Sequence, residues 1–266
     1  MLKIIDGKKI AESVKDEIAK EIFDYKTTRP NLAIILVGDR EDSKLYVSLK
    51  EKESIKVGID AHVYRLAETA SEEEVLEVID FLNKDKVIDG ILVQLPLPKN
   101  LDTNKIIKAL DPTKDVDGFH PKHPSYILSP VLSAVKASLE NTEKNFKENS
   151  ACLLYNSDIF GKGLRELLES FGVSKFLEQK DLKEADIIIT ALGKPETIKG
   201  EDIKKGAVIV DISTVNVDGK IKGDVDFESV KDKASFITPV PGGIGPMTIA
   251  LLLKNVLEIF KKKNFG

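Results

Sequence analysis

A chain of 266 residues is too long for one minimal core and fits one large α/β domain or two modest ones. Apolar residues at 42 % can fill such cores, charged residues at 32 % leave a well-solvated surface, and a net charge of −4 argues against nucleic-acid binding, which goes with a basic excess. The single cysteine, Cys152, excludes an internal disulfide, no apolar run reaches membrane-spanning length and no signal-peptide core opens the chain, so a soluble, cytoplasmic protein that does not engage a membrane is expected.

Ile10, Val14, Ile18 and Ile22 recur every four residues between charged positions and predict an amphipathic first helix. Leu32 to Val37, between Pro30 and Gly38, is a continuous apolar run of the kind buried on both faces of a parallel sheet. A helix is predicted from Ser43 to Val57, closed by Gly58. Ala61 to Leu66 reads as a strand. Ser71-Glu72-Glu73-Glu74 has the form of a capping box ahead of a helix carrying Val75, Leu76, Val78, Ile79 and Leu82. Gly90 to Leu95 is a further buried strand, stopped by Pro96 and Pro98. The alternation predicts a parallel α/β sheet with right-handed crossovers.

Beyond Pro121 a helix is expected near 131–141, then a polar linker from Asn141 to Ser150. Strands near 151–155, 173–177, 186–191 and 207–212 form a smaller, nucleotide-binding-like layer. Asp218-Gly219 between Val217 and Lys220 signals a hairpin turn. A last helix from Pro246 to Lys261 carries Ile249, Leu252, Leu253, Val256 and Ile259 on one side and should pack back onto the first domain. The expected division is 1–121 plus 246–266 as one domain and 122–245 as the other.

Four segments can carry chemistry. Tyr46 and Lys50 are four apart on a predicted helix, with Ser43 one turn earlier on the same face. Such a pair is ordinarily surface decoration; a lysine acts as a base only where burial or a neighbouring cation lowers its pKa. Gln94 stands at the C-terminal end of a buried strand, where open α/β sheets place ligands, though it also suits a loop cap. Lys114-Asp115-Val116-Asp117-Gly118 offers two acids. Only His120 and His123 lie nearby, without a thiolate cluster, which argues against a metal, whereas a lone carboxylate can accept two parallel hydrogen bonds from an amino-pyrimidine edge. Pro239-Val240-Pro241-Gly242-Gly243-Ile244-Gly245-Pro246-Met247-Thr248 is a stiff, tightly turned loop running into a helix, whose backbone N–H groups can face a ligand.

Together these segments resemble the bifunctional methylenetetrahydrofolate dehydrogenase/methenyltetrahydrofolate cyclohydrolase family. The motifs are Tyr46-x-x-x-Lys50, Gly90-Ile91-Leu92-Val93-Gln94-Leu95-Pro96-Leu97-Pro98, Lys114 to Phe119, Gly219 to Asp226 and Pro239 to Thr248. The resemblance implies two α/β domains, a parallel-sheet domain and a Rossmann-like NAD(P)-binding one, with a folate cleft between them, in a homodimer. It implies Lys50 as catalytic lysine, Gln94 as the amide that holds it, Tyr46 as the aromatic that positions the folate and Asp117 as the acid that grips the pterin. Ser43, Leu95, Pro241, Gly242, Gly243 and Gly245 would contact substrate, and Asn156, Ser157, Gly161, Thr214 and Thr248 the cofactor, NADP or NAD. The implied reactions are methylenetetrahydrofolate oxidation and methenyltetrahydrofolate hydrolysis to the 10-formyl form, a supply to purine biosynthesis.

The nucleotide half departs from the family pattern. Where a strand normally ends in Gly-Arg-Ser-x-x-Val-Gly-x-Pro, this chain has Tyr155-Asn156-Ser157-Asp158-Ile159-Phe160-Gly161-Lys162-Gly163. Residues 173–185 are too few for a strand, a turn and a helix of ordinary length, about 11–12 residues. Ser213 replaces a cofactor-facing glycine, and Ser129-Pro130 a Thr-Pro. Remodelling and loss of the dinucleotide site both stay open. Glu178, after the second strand of this half, would favour NAD by binding a ribose diol, or is an exposed turn residue. The competing readings are a folate-binding subunit with reduced catalysis and a dehydrogenase of another small substrate.

Overall fold

The computed structural model describes residues 2–26 and 28–266. The chain forms two compact units, a small-sheet unit of residues 12–130 with 249–266 and a large-sheet unit of residues 1–11 with 131–248.

In the small-sheet unit the apolar run becomes β2 (Asn31–Val37), central in a parallel sheet of order β3-β2-β4, with β3 at Asp60–Leu66 and β4 at Gly90–Val93. Side chains alternate across a strand, so a wholly apolar strand serves two cores. Leu32, Ile34 and Leu36 pack with Ile18 and Ile22 of α1 (Gly7–Asp24) and with Leu252, Leu253 and Val256 of α8 (Ile244–Phe265). Ala33, Ile35 and Val37 pack with Val75, Ile79 and Leu82 of α3 (Glu72–Lys84). The helix α2 (Glu41–Val57) ends on Gly58 in the left-handed conformation, and the capping box of α3 is formed by Ser71 and Glu74. A short helix that periodicity did not reveal, α4 (Thr103–Ala109), is capped by Asp102 accepting from the N–H groups of Asn104 and Lys105. Segment 114–116 lies beside β4, with Ile91 N–H donating to the Lys114 carbonyl at 2.7 Å.

The large-sheet unit has six parallel strands in the order β1-β11-β8-β7-β5-β6. These are β1 (Lys3–Ile4), β5 (Ser150–Tyr155), β6 (Lys175–Leu177), β7 (Ile187–Ala191), β8 (Val208–Asp211) and β11 (Phe236–Ile237). From β5 the chain goes to β6 on one side and to β7 on the other, so the strand order reverses between β5 and β7. Helix α5 (Pro130–Glu140) precedes β5, α6 (Asp158–Ser170) follows it, and the short α7 (Phe227–Val230) precedes β11. The short stretch after β6 holds only a 3-10 helix, Gln179–Glu184. The predicted hairpin pairs β9 (Val215–Val217) with β10 (Lys220–Lys222), with positive φ at Asp218 and Gly219.

The division differs from the expected one at three places. Lys3 and Ile4 pair with Phe236 and Ile237 and Ile5 is fully buried, so the N-terminal 11 residues count with the large-sheet unit. Residues 122–130 stay with the small-sheet unit, where Asn255 Nδ2 donates to the Leu128 carbonyl at 3.0 Å. The last bound falls between 248 and 249, inside α8, rather than at 245. Among the described residues no helix is long and apolar enough to cross a membrane.

Candidate active site

In the small-sheet unit, α2 carries Ser43, Tyr46 and Lys50 on one face. Lys50 Nζ donates to Gln94 Oε1 at 2.9 Å. Gln94 Nε2 donates to the Leu95 carbonyl at 2.7 Å, which orients the amide with its oxygen toward the lysine. The Gln94 N–H also bonds the Ile35 carbonyl at 2.9 Å, so the sheet ladder anchors the residue. Burial lowers the Lys50 pKa below its ordinary value, against the opposing pull of Asp117.

Asp117 is held by its neighbours rather than by its own side chain. The buried Asp115 carboxylate accepts from the N–H groups of Asp117 at 3.1 Å and His120 at 2.7 Å, and Asn255 Nδ2 donates to the Val116 carbonyl at 2.8 Å. Among the described residues nothing donates a hydrogen bond to the Asp117 carboxylate. Burial pushes that carboxyl up to about 6, with Lys50 pulling it down and Asp115 adding to the rise. Ser43 is 4 % exposed, and its Oγ is buried with no hydrogen-bond partner among the described residues. An unpaired buried hydroxyl costs free energy unless something pairs with it, so the geometry leaves a polar group available to a ligand or water. Tyr46 is 39 % exposed, and Leu95 is half-buried against the α3 core. Lys114, part of the same motif, does a different job: its Nζ donates to the carbonyls of Leu82, Asn83 and Asp85 and closes the end of α3.

Asp115 and Asn255 were missed as site-building residues. Asn255 had a signal, a polar residue inside the apolar stripe of the last helix.

In the large-sheet unit, residues 239–243 lead into α8, which begins at Ile244 rather than Pro246. A Cβ on Gly243 would lie 2.6 Å from the Pro239 carbonyl oxygen, and one on Gly7 would lie 1.8 Å from the Gly243 oxygen, so two bare backbones meet there. Pro241 is exposed, Gly242 and Gly245 are half-buried, and Thr248 Oγ1 donates to the Gly245 carbonyl at 2.7 Å.

Ser157 caps α6, accepting from Phe160 N–H at 3.4 Å. Asn156 Nδ2 donates to the Leu192 carbonyl at 2.6 Å, joining the chain just after β5 to the chain just after β7. A Cβ on Gly161 would lie 2.0 Å from the Tyr155 ring, so the tyrosine packs directly on α6. Thr214 is exposed. Ser213 is only 7 % exposed, with its hydroxyl turned into the unit rather than toward solvent. Glu178 is exposed and pairs with Lys180 at 2.9 Å.

A parallel sheet whose strand order reverses beside a capped helix N-terminus is a dinucleotide-binding architecture, and the other unit adds a desolvated lysine held by an amide: the class is a two-unit α/β protein with one nucleotide-binding fold. Residues 5–117 match the catalytic domain, and residues 130–264 the NAD(P)-binding domain, of tetrahydrofolate dehydrogenase/cyclohydrolase. The chain belongs to this family and is an enzyme of one-carbon tetrahydrofolate interconversion. It is 42 % identical over 280 residues to the bifunctional protein FolD of Nautilia profundicola, covering 99 % of this chain and 98 % of that protein. The crystal structure of the bifunctional FolD dehydrogenase/cyclohydrolase of Campylobacter jejuni is similar at a TM-score of 0.93 and 34 % identity, covering 98 % of this chain and 99 % of that one. A Trypanosoma brucei FolD structure, complexed with NADP cofactor and inhibitor, gives a TM-score of 0.92 at 29 % identity, covering 100 % and 99 %.

Proposed function

We propose that Lys50 is the general base of methenyltetrahydrofolate hydrolysis and that Gln94 holds it in place. The observation that carries this reading is the 2.9 Å bond between Lys50 Nζ and Gln94 Oε1 at a lysine whose pKa burial lowers. As a free amine, Lys50 takes a proton from the water that attacks the methenyl carbon, and the ring opens to the 10-formyl product. A cationic substrate beside the amine lowers its pKa further. Asp117, with no donor from the protein, accepts two parallel hydrogen bonds from the pterin edge. Ser43 Oγ pairs with substrate or with the attacking water, and Tyr46 and Leu95 supply apolar surface to the folate. Pro241, Gly242, Gly243 and Gly245 are proposed as folate contacts on the resemblance alone.

The large-sheet unit fits a nicotinamide dinucleotide, because a 13-residue helix starts beside the point where strand order reverses. A nicotinamide dinucleotide held there would supply the acceptor for the hydride of the methylene carbon. Asn156, Ser157, Gly161, Thr214 and Thr248 are the proposed contacts. Ser157 and the first N–H groups of α6 receive phosphate, and Asn156 contributes through the loop it holds. Homodimer formation, a cytoplasmic location and a role in purine biosynthesis are proposed on the resemblance alone.

The test is one acid-quenched assay of the purified protein with methylenetetrahydrofolate and saturating NADP or NAD. Acid returns formyl product to methenyl, so methenyl absorbance counts every oxidation. A rise with one cofactor supports the reading and names the cofactor. No rise with either, together with no hydrolysis of supplied methenyltetrahydrofolate, leaves a folate-binding subunit instead.

A further inference from the structure

Asp224 is fully buried in the large-sheet unit and no cation pairs with it among the described residues. Its Oδ2 accepts from Thr190 Oγ1 at 2.6 Å, Leu192 N–H at 2.7 Å and Ser213 Oγ at 2.7 Å, and its Oδ1 accepts from Lys194 N–H at 2.7 Å. The Ser213 Oγ in turn accepts from Gly193 N–H at 3.0 Å. Every backbone N–H from 192 to 194 is thus held, directly or through one hydroxyl, by a single carboxylate. A buried carboxylate keeps four donors only where their geometry is fixed, because each unpaired one would cost desolvation without return.

The segment so fixed leaves the C-terminal end of β7, on one side of the reversal point where open α/β sheets bind ligands. Asn156, from the other side, bonds the Leu192 carbonyl of the same segment. Asn156 and Ser213 therefore belong to one connected set of hydrogen bonds.

We propose that Asp224 is a positioning residue for dinucleotide binding, acting through Ser213, Thr190 and the 192–194 backbone, and that Ser213 is a working part of this site rather than a mark of its decay. This rests on the dinucleotide half of the proposed function. A glycine at 213 would leave Gly193 N–H without its acceptor and Asp224 with one donor fewer. The segment would then be free to leave the conformation that faces the cofactor.

The test measures equilibrium binding of NADP and of NAD to the full chain, alongside steady-state dehydrogenase kinetics and methenyl hydrolysis. The variants are Ser213→Ala, Ser213→Thr and Thr190→Val. The expected result is that Ser213→Ala and Thr190→Val each raise Kd and KM for the wild-type cofactor about tenfold, with kcat at saturating cofactor within about twofold, and that Ser213→Thr restores affinity. Unchanged methenyl hydrolysis shows that the small-sheet unit survives, and a near-wild-type kcat at saturating cofactor shows that the large-sheet unit does. Wild-type affinity in Ser213→Ala and Thr190→Val overturns this proposal alone. So does a loss of hydrolysis in step with affinity in both variants, which would mark a general loss of structure. A wild-type protein that binds neither dinucleotide overturns the dinucleotide reading itself and this proposal with it.

Discussion

At the scale of single residues the proposed chemistry depends on charge states that burial has moved. As the proposed base, Lys50 must be a free amine to act, and replacing its amide partner with a carboxylate should reverse the effect of burial. Gln94→Glu places an anion against Lys50 Nζ, raises its pKa and moves the pH–rate profile of hydrolysis to higher pH. At neutral pH the rate should fall about tenfold for each unit of that shift, recovering at alkaline pH. A profile that keeps its position would separate Gln94 from the base. Asp117 titrates the other way. Its carboxyl is pushed up to about 6, so below that pH it is protonated and one of its two acceptor oxygens becomes a donor. KM for the folate should rise about tenfold per pH unit below about 6, while Asp117→Asn should bind weakly at every pH. The motifs single out Lys50, Gln94 and Asp117. Their ionisation was not legible there, since it arises from desolvation by surroundings distant in sequence.

At the scale of elements, the acidic motif turns out to contain three different parts. Asp115 builds the loop, Asp117 has no hydrogen-bond donor on its carboxylate among the described residues, and Lys114 closes α3. Lys114→Met should keep the stem and lose three charge-assisted bonds to carbonyls, costing about 2 kcal/mol in a denaturant titration. Methenyl hydrolysis should fall little at temperatures well below the melting point. A variant as stable as wild type would show that α3 has other means to end. The strands and long helices were legible because their signals are local, a run of six apolar residues in β2 or the capping box of Ser71 and Glu74. The helix α4 has seven residues, too few to show a period, and the two-residue β1 has no apolar pattern at all.

At the scale of the whole molecule, the two reactions are assigned to residues of different units, and variants should separate them. Lys50→Arg keeps the charge but cannot give up its proton, so hydrolysis should fall at least about a hundredfold. Oxidation with NADP or NAD should continue and methenyl product should accumulate before quenching. Equal loss of both activities would mean that Lys50 serves the oxidation as well. The units themselves were only partly legible. Their bounds fall inside α1 and α8, where the helix runs on across the division, and at the Pro130 start of α5; Gly245 and Pro246 stand just before the bound in α8 without breaking the helix.

The sequence by itself determined two parallel sheets, most of their strands and the motifs from which the folate-site residues are proposed, because alternation, capping and turn preference act over a few neighbours. Tertiary structure alone decided which of those residues are chemically poised. Lys50 meets Gln94 across 44 positions, Asn255 meets the Val116 carbonyl across 139, and Ser213 meets Asp224 inside the large-sheet unit. Desolvation and hydrogen-bond pairing depend on whatever atoms the folded chain brings near, and no local pattern in the sequence records those atoms.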